Sequence, residues 1–455
     1  MNRTLKDFAM LCGGSFTGED RAYSGVGTDT RALRAGEIYL ALRGPRFDGN
    51  DFVAAAAAAG AVAAVVDRPV AGAALPLISV ADGQAALTAA ARGWRDRFGG
   101  VVVGVAGSNG KTTVKEMTAA ILAQRGACLA TRGNLNNHIG VPLTLLRLSD
   151  EHRSAVIEIG ANRPGEVAAL VRIARPDVGL ITNAGAEHLE GFGDLDGVAR
   201  AEGEMVAGLG PDDVAIINAD DTYADLWRGM TRARVVTFGV DRPADFGAAD
   251  VRSELTDRGF RTTFTLRAPQ GERVVRLNVG GVHNLRNALA AAAAAVAAGA
   301  TLDDVVAGLA AMQPVAGRLQ PGRTSQGARL IDDSYNANPS SMRAGIDVLV
   351  AMPGKPWLVM GDMGELGEHA RASHIEIGRY ARQRGVQRLF ATGPLSTLAV
   401  ESFGAGAEWF ADTEALSRAV SAALSPDVTL LVKGSRSNRL ERVVASLGGG
   451  AKEMH

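Results

Sequence analysis

The residues with the plainest chemical purpose are Gly107-Ser108-Asn109-Gly110-Lys111-Thr112-Thr113. Backbone N–H groups of a glycine-rich turn that opens a helix face an anion, a Lys adds a point charge, and a Thr hydroxyl suits Mg2+. Together they cradle the phosphates of a nucleoside triphosphate. The spacing departs from the common phosphate loop: five residues rather than four separate Gly104 from Gly110, and Val105 stands where a glycine is expected. Further polar groups follow other apolar runs. Ala155-Val-Ile ends in Glu158, placed to share a Mg2+ with Thr112. Val178–Thr182 is followed by Asn183 and, in a glycine-rich loop, by His188, suited to metal or phosphate. Later, Asp332-Asp333-Ser-Tyr-Asn336-Ala-Asn338-Pro339, Gly361-Asp362-Met-Gly-Glu-Leu-Gly367 and Val432-Lys433-Gly-Ser-Arg436 repeat the pattern. Turn chemistry alone explains Asp, Asn and Gly after a strand, but three such segments on one sheet edge describe a lined cleft. Between the groups lie Asn284 and Asn287, whose amides suit a purine edge, and Arg318, which suits a phosphate.

These side chains need strand ends to hold them, since ligands in open α/β sheets bind beyond the carboxyl ends of the strands. The β-branched run Val101–Val105 reads as a buried strand and Val114–Leu122 as the helix after the phosphate loop. Upstream, Glu37–Leu42, Ala63–Val66 and Pro76–Val80 read as strands and Asp51–Ala59 as a helix. From Gly99-Gly100 to about Pro314, strands and helices alternate, which predicts a mostly parallel sheet with helices on its faces. Val235–Leu277 instead alternates in antiparallel fashion. A third α/β unit begins after Gly317-Arg318, with strands at Ala328–Ile331, Trp357–Met360, Arg388–Ala391 and Thr429–Val432. The fold class is α/β in three domains: residues 1–98, 99–314 and 315–455.

Composition narrows the function. A chain of 455 residues exceeds one core and suits about three domains. Its 48 Lys and Arg nearly cancel its 49 Asp and Glu, so no basic field argues for nucleic acid. The cysteines, Cys12 and Cys128, cannot build a disulfide framework or a Cys-based zinc site, which together with a start lacking a signal-peptide pattern predicts a cytoplasmic protein. The alanine run Ala288–Ala300 is too short and too weakly apolar to span a membrane. It reads as a helix of the best helix former.

Gly107–Thr113, Glu158, Asn183 with His188, His283-Asn284 with Asn287, and Gly317-Arg318 together resemble the central signature of the Mur ligases, ATP-dependent enzymes that form amide bonds in peptidoglycan assembly. The altered glycine spacing is also that family's. Three stretches look like the member that adds a dipeptide to a nucleotide-linked tripeptide: Gly133–Pro142, Asp332–Pro339 with Ser341-Met342, and Gly361–Gly367. The resemblance, from about Gly27 to Val444, implies an N-terminal domain for the UDP end, a central P-loop ATPase domain and a C-terminal Rossmann-like domain. It implies ATP and Mg2+ as cofactors, UDP-N-acetylmuramoyl-tripeptide and D-alanyl-D-alanine as partners, and a monomer. Thr30, Arg31, Asp48 and Asn50 match the nucleotide-sugar pattern, and Asn134, Asn136, Asn137 and Asn183 join the substrate set. Thr112 and Glu158 are implied as ligands of one Mg2+ and His188 of a second. Lys111 would cancel repulsion between carboxylate and γ-phosphate, Asn284 and Asn287 would meet adenine, and Arg318 ribose or phosphate. Asp333, Asn336 and Asn338 would meet the dipeptide.

The sequence departs from the family at Glu202, where a lysine that becomes carbamylated is usual, at Asn50 for His, and at Arg439 for Met. Glu202 already carries a carboxylate, though on a stem shorter by roughly 3–4 Å, and is expected to replace the carbamate directly or through a water. The rivals are a related ligase adding a single amino acid, a P-loop kinase, which would release no free phosphate, and a nucleotide switch, for which no partner-binding stripe is present.

Overall fold

The computed structural model describes residues 3–256 and 259–448. The strand Val101–Ala106 stands near the middle of a six-stranded sheet. Across this sheet the order is Arg234–Phe238, Val214–Asn218, Val178–Ile181, Val101–Ala106, His152–Glu158 and Ala127–Ala130, all parallel. From Val101–Ala106 the chain runs outward to Ala127–Ala130 and returns to His152–Glu158. It then passes to the other side for Val178–Ile181 and the strands beyond. The connections therefore diverge beside Gly107, the topological switch point where a crevice opens beyond the strand ends. Near-continuous Val and Ile suit strands covered on both faces.

The helix Val282–Ala297 covers one face, and Ala288 to Ala295 are each at most 1% exposed. A helix apolar all round belongs inside a protein. Methyl side chains let it lie close to the helix Lys111–Leu122. Helix Leu302–Ala311 approaches the same helix through Gly308, where an added Cβ would stand 2.4 Å from Ile121 Cα.

The N-terminal unit is a five-stranded sheet, ordered Ser15–Phe16, Leu77–Ser79, Ala63–Val66, Ile38–Leu40 and Val26–Gly27. The expected helix Asp51–Ala59 begins as a 3-10 turn, Gly49–Phe52, and continues as α-helix over Val53–Ala58. In the third unit Arg329–Asp333, Val428–Lys433, Lys355–Met360, Arg388–Thr392 and Ala407–Phe410 run parallel, with Gln320–Arg323 antiparallel at the edge. One expectation is corrected. The antiparallel ribbon comprises only Gly247–Thr256, Gly259–Ala268 and Gly271–Leu277, while Arg234–Phe238 is the parallel edge of the central sheet. Val235 packs on one core and Val236 and Phe238 on the other, so this strand is covered on both faces, as parallel strands are.

Candidate active site

The phosphate loop is held open by two glycines. Gly107 has φ +117°, and an added Cβ would lie 2.1 Å from Thr182 Oγ1; Gly110 has φ +86°, with Asn287 Oδ1 2.4 Å from such a Cβ. Gly110 caps the helix Lys111–Leu122 without a side chain, so the helix N-terminus stays available to an anion. The loop is braced from the next strand end. Asn109 N donates to Asn183 Oδ1 and Asn183 Nδ2 donates back to Asn109 O, both at 3.0 Å. Ser108 Oγ accepts from Gly185 N at 2.8 Å. Asn183 is thus a strut of the loop. Lys111 Nζ donates to Gly107 O at 2.5 Å and Ser108 O at 3.0 Å, and pairs with Glu187 Oε1 at 3.2 Å. Burial works against its charge, but Glu187, Glu202 and Glu158 outweigh it and hold the ammonium above its usual range.

Glu158 is 3% exposed. Its Oε1 accepts from Asn136 Nδ2 at 2.9 Å, while its Oε2 is buried without a hydrogen-bond partner. A buried, unpaired carboxylate oxygen is costly and calls for a cation or water. Thr112 Oγ1 accepts from Arg318 Nη2 at 3.2 Å, and the Arg318 guanidinium lies 4.5 Å above the Tyr335 ring. His188 adopts φ +50° and its Nδ1 lies 2.8 Å from Glu365 Oε2 of the third unit. Burial disfavours the imidazolium, yet Glu365 and Glu187 raise its pKa. Glu202 sits behind the loop. Its Oε2 accepts the Gly107 N–H at 2.6 Å, and burial, partly offset by Lys111, lifts its pKa to about 7.

One cavity of about 1260 Å³ joins these groups, Glu202 excepted. Lys111, Thr112, Glu158, His188, Asn183 and the loop residues Ser108, Asn109, Gly110 and Thr113 line it. So do Asn134, Asn136 and Asn137, the buried Asn284 and Asn287, and from the third unit Arg318, Asp333, Asn336 and Asn338. Asn284 Nδ2 donates to Gly280 O and Asn287 Nδ2 to Asn284 Oδ1, so part of each amide is spent on the helix start. Asp333 Oδ2 pairs with Lys433 Nζ at 2.7 Å, and Lys433 also donates to Asn336 O at 2.9 Å. Asn338 caps the helix Pro339–Ala351 through Ser341 N and donates to Asn109 Oδ1 at 2.8 Å. Ser340 Oγ completes this contact, accepting from Asn109 Nδ2 at 3.0 Å.

Glu202 does not line the cavity; the carboxylates that reach it beside His188 are those of Glu187 and, from the third unit, Glu365. The only sequence signal for Glu187 is an acid adjoining that histidine. Thr30, Arg31, Asp48 and Asn50 also lie outside the cavity lining. Arg31 pairs with Asp29, whose carboxyl its guanidinium holds down to about 2. Hydrogen bonds from Asn50, then the pairing with Arg68, likewise hold Asp48 at about 2, and Asn50 reaches Asp67 at 2.7 Å. The helix Gly83–Asp96 bridges the gap, and its Gln84, Thr88 and Arg92 line the cavity.

Three family models match in chain order: the Mur ligase family catalytic domain over residues 22–95, the Mur ligase middle domain over 105–295, and the Mur ligase glutamate ligase domain over 317–436. The chain belongs to the Mur ligase family. Among Mur ligases it is 44% identical to the UDP-N-acetylmuramoyl-tripeptide–D-alanyl-D-alanine ligase of Escherichia coli (strain K12), over 98% of each chain. The crystal structure of MurF from Acinetobacter baumannii superposes with a TM-score of 0.90 at 34% identity, covering 98% of this chain and 99% of that one. MurF ligase from Thermotoga maritima, crystallised in complex with ADP, gives 0.80 at 27% identity, with 93% and 96% covered. Like these Mur ligases, the chain is a three-part α/β enzyme. Among the described residues no helix is long and apolar enough to cross a membrane.

Proposed function

We propose that the chain joins D-alanyl-D-alanine to UDP-N-acetylmuramoyl-tripeptide with hydrolysis of ATP to ADP and phosphate. The full-length similarity to ligases named for that reaction supports this reading. The observation that carries it is the single cavity, in which the phosphate loop faces Asn336, Asn338 and Lys433 of the third unit.

Lys111 and the helix N-terminus bind the triphosphate, and Lys111 offsets repulsion between the γ-phosphate and the tripeptide carboxylate. A carboxylate oxygen then attacks the γ-phosphorus, the bond to the β-phosphate oxygen breaks, and an acyl phosphate and ADP result. The dipeptide amine attacks the acyl carbon, loses a proton, and displaces inorganic phosphate through a tetrahedral intermediate. Asn336 and Asn338 orient the dipeptide, while Asp333 acts through Lys433. The third unit excludes water from the acyl phosphate. Asn284 and Asn287 flank the adenine, and Arg318 the ribose or phosphates.

Mg2+ fits the residues present: Thr112 and the unpaired oxygen of Glu158 would hold one ion, and His188 with Glu187 a second. Among the described residues no three His, Cys, Asp or Glu side chains form a cation cluster. That suits an ion taking most of its ligands from phosphate and water. When bound, the ions would neutralise charge on the transferring phosphoryl group. Glu202, committed to the Gly107 N–H, supports the loop from behind. The nucleotide-sugar end would extend toward Thr30, Arg31, Asp48 and Asn50 along the helix Gly83–Asp96. Phosphate release measured with and without each substrate tests the reaction. Release that requires both the tripeptide and D-alanyl-D-alanine is expected, and release that requires neither overturns it.

A further inference from the structure

The third-unit loop Gly361–Gly367 has so far no part in the chemistry. Asp362 turns into its own unit, where Oδ1 accepts from Ser396 N and Ser396 Oγ, both at 2.7 Å. Met363 N donates to the buried His374 at 3.0 Å, and the Met363 and Leu366 side chains enter the third unit's core. Between these anchors Glu365 faces outward at φ +62°, opposite His188 at φ +50°. Left-handed backbone at two non-glycine residues is unusual, and such strain gathers at functional sites. The two loops are also in contact beside the pair: an added Cβ on Gly367 would stand 3.5 Å from Glu190 Cα.

An imidazole whose Nδ1–H is held by a carboxylate presents Nε2 as a lone pair in one direction. With Glu365 Oε2 2.8 Å from His188 Nδ1, that condition is met. Fold stability is a poor reason for the pair, because the Glu365 side chain is 63% exposed and so exposed an ion pair adds little. The partners come from different units. His188 follows the central strand Val178–Ile181, and Glu365 follows the third-unit strand Lys355–Met360.

We propose that Glu365 is a positioning residue for the ligation: it fixes the tautomer and direction of His188, so that the phosphate site of the central unit is complete only once the third unit has closed over it. The inference rests on the function proposed above and adds an order of events. Nucleotide binds without Glu365, whereas phosphoryl transfer requires it.

The test compares full-length wild type, E365G and E365D. Glycine removes the carboxylate without straining a left-handed backbone, so its effect is not one of folding. Expected is a loss of about 10–100-fold in kcat for E365G with its KM for ATP within about 2-fold of wild type, and partial recovery in E365D. Imidazole 15N spectra of the ADP-bound proteins give the second readout: one Nδ1–H tautomer at His188 in wild type, a tautomeric average in E365G. Wild-type kcat in E365G, or a loss of kcat with an unchanged His188 tautomer, overturns the proposal. A wild-type protein that releases no phosphate with both substrates removes the reaction instead, and the tautomer comparison then still decides whether Glu365 orients His188.

Discussion

Lys111 stands between the loop carbonyls and Glu187, close to both Glu158 and Glu202, so its ammonium is the charge on which phosphate binding turns. K111M is expected to lower phosphate release by at least about 10²-fold, since a fixed charge in a water-poor site acts mainly on the transition state. Neither Glu187 nor Glu202 needs carbamylation to present a carboxylate. Added bicarbonate is therefore expected to leave the wild-type rate unchanged, while E202K is expected to become bicarbonate-dependent; bicarbonate rescue of a slow wild-type enzyme would show the opposite. Residue types were readable because Lys, Thr, Glu and His at strand ends have few structural uses. Their partners were not readable. Glu202 lies behind the loop, on the helix Leu195–Ala207, and Glu187 before it, in the loop after the strand Val178–Ile181, because of backbone position and side-chain direction, which one-dimensional spacing does not encode.

At the scale of elements, the close packing around the helix Lys111–Leu122 governs how rigidly the loop is held. G308A would press a methyl against Ile121 N and Cα, 2.6 and 2.4 Å away, and backbone on the far side has little room to yield. A loss of about 1–3 kcal/mol is expected in urea unfolding. The neighbouring helix Val282–Ala297 carries His283 in its first turn, and burial drives that imidazole down from 6.5 to about 4, against the pull of Asp333. Between those values the unfolded chain binds a proton that the folded chain refuses, so stability rises with pH across the window. It falls as pH drops from about 6.5 to 4, by no more than about 3 kcal/mol. H283N is expected to flatten that slope in thermal melts taken from pH 4 to 7. The strands Val101–Ala106 and Val428–Lys433 were legible from β-branched runs. Ala127–Ala130 and Ala407–Phe410 were not, because four residues are too few to show a strand period against their surroundings.

At the scale of the molecule, the three units are joined in different ways. Leu5, Phe8 and Trp94 of the first share one apolar core with Val102, Leu145 and Ile157 of the second. Arg3 and Arg95 add hydrogen bonds to Leu146 O, Leu148 O, Ala174 O and Arg175 O. The third unit shares only Phe260 of the second in its cores and meets the phosphate loop through hydrogen bonds among Asn109, Asn338 and Ser340. Polar contacts of this kind are remade at little cost. S340A is expected to raise the KM for D-alanyl-D-alanine several-fold while leaving stability within about 0.5 kcal/mol of wild type, as steady-state kinetics and melts would show. From the sequence alone followed the phosphate loop, the α/β class, the family resemblance and most of the residues that now share one cavity. These are local matters of residue type, hydrophobic period and glycine placement. Tertiary structure decided which carboxylate faces the cavity, that Glu158 keeps an unpaired buried oxygen, and that Glu365 meets His188 across a unit boundary. Each depends on where chain segments far apart in sequence come to rest, and only the packed core sets that.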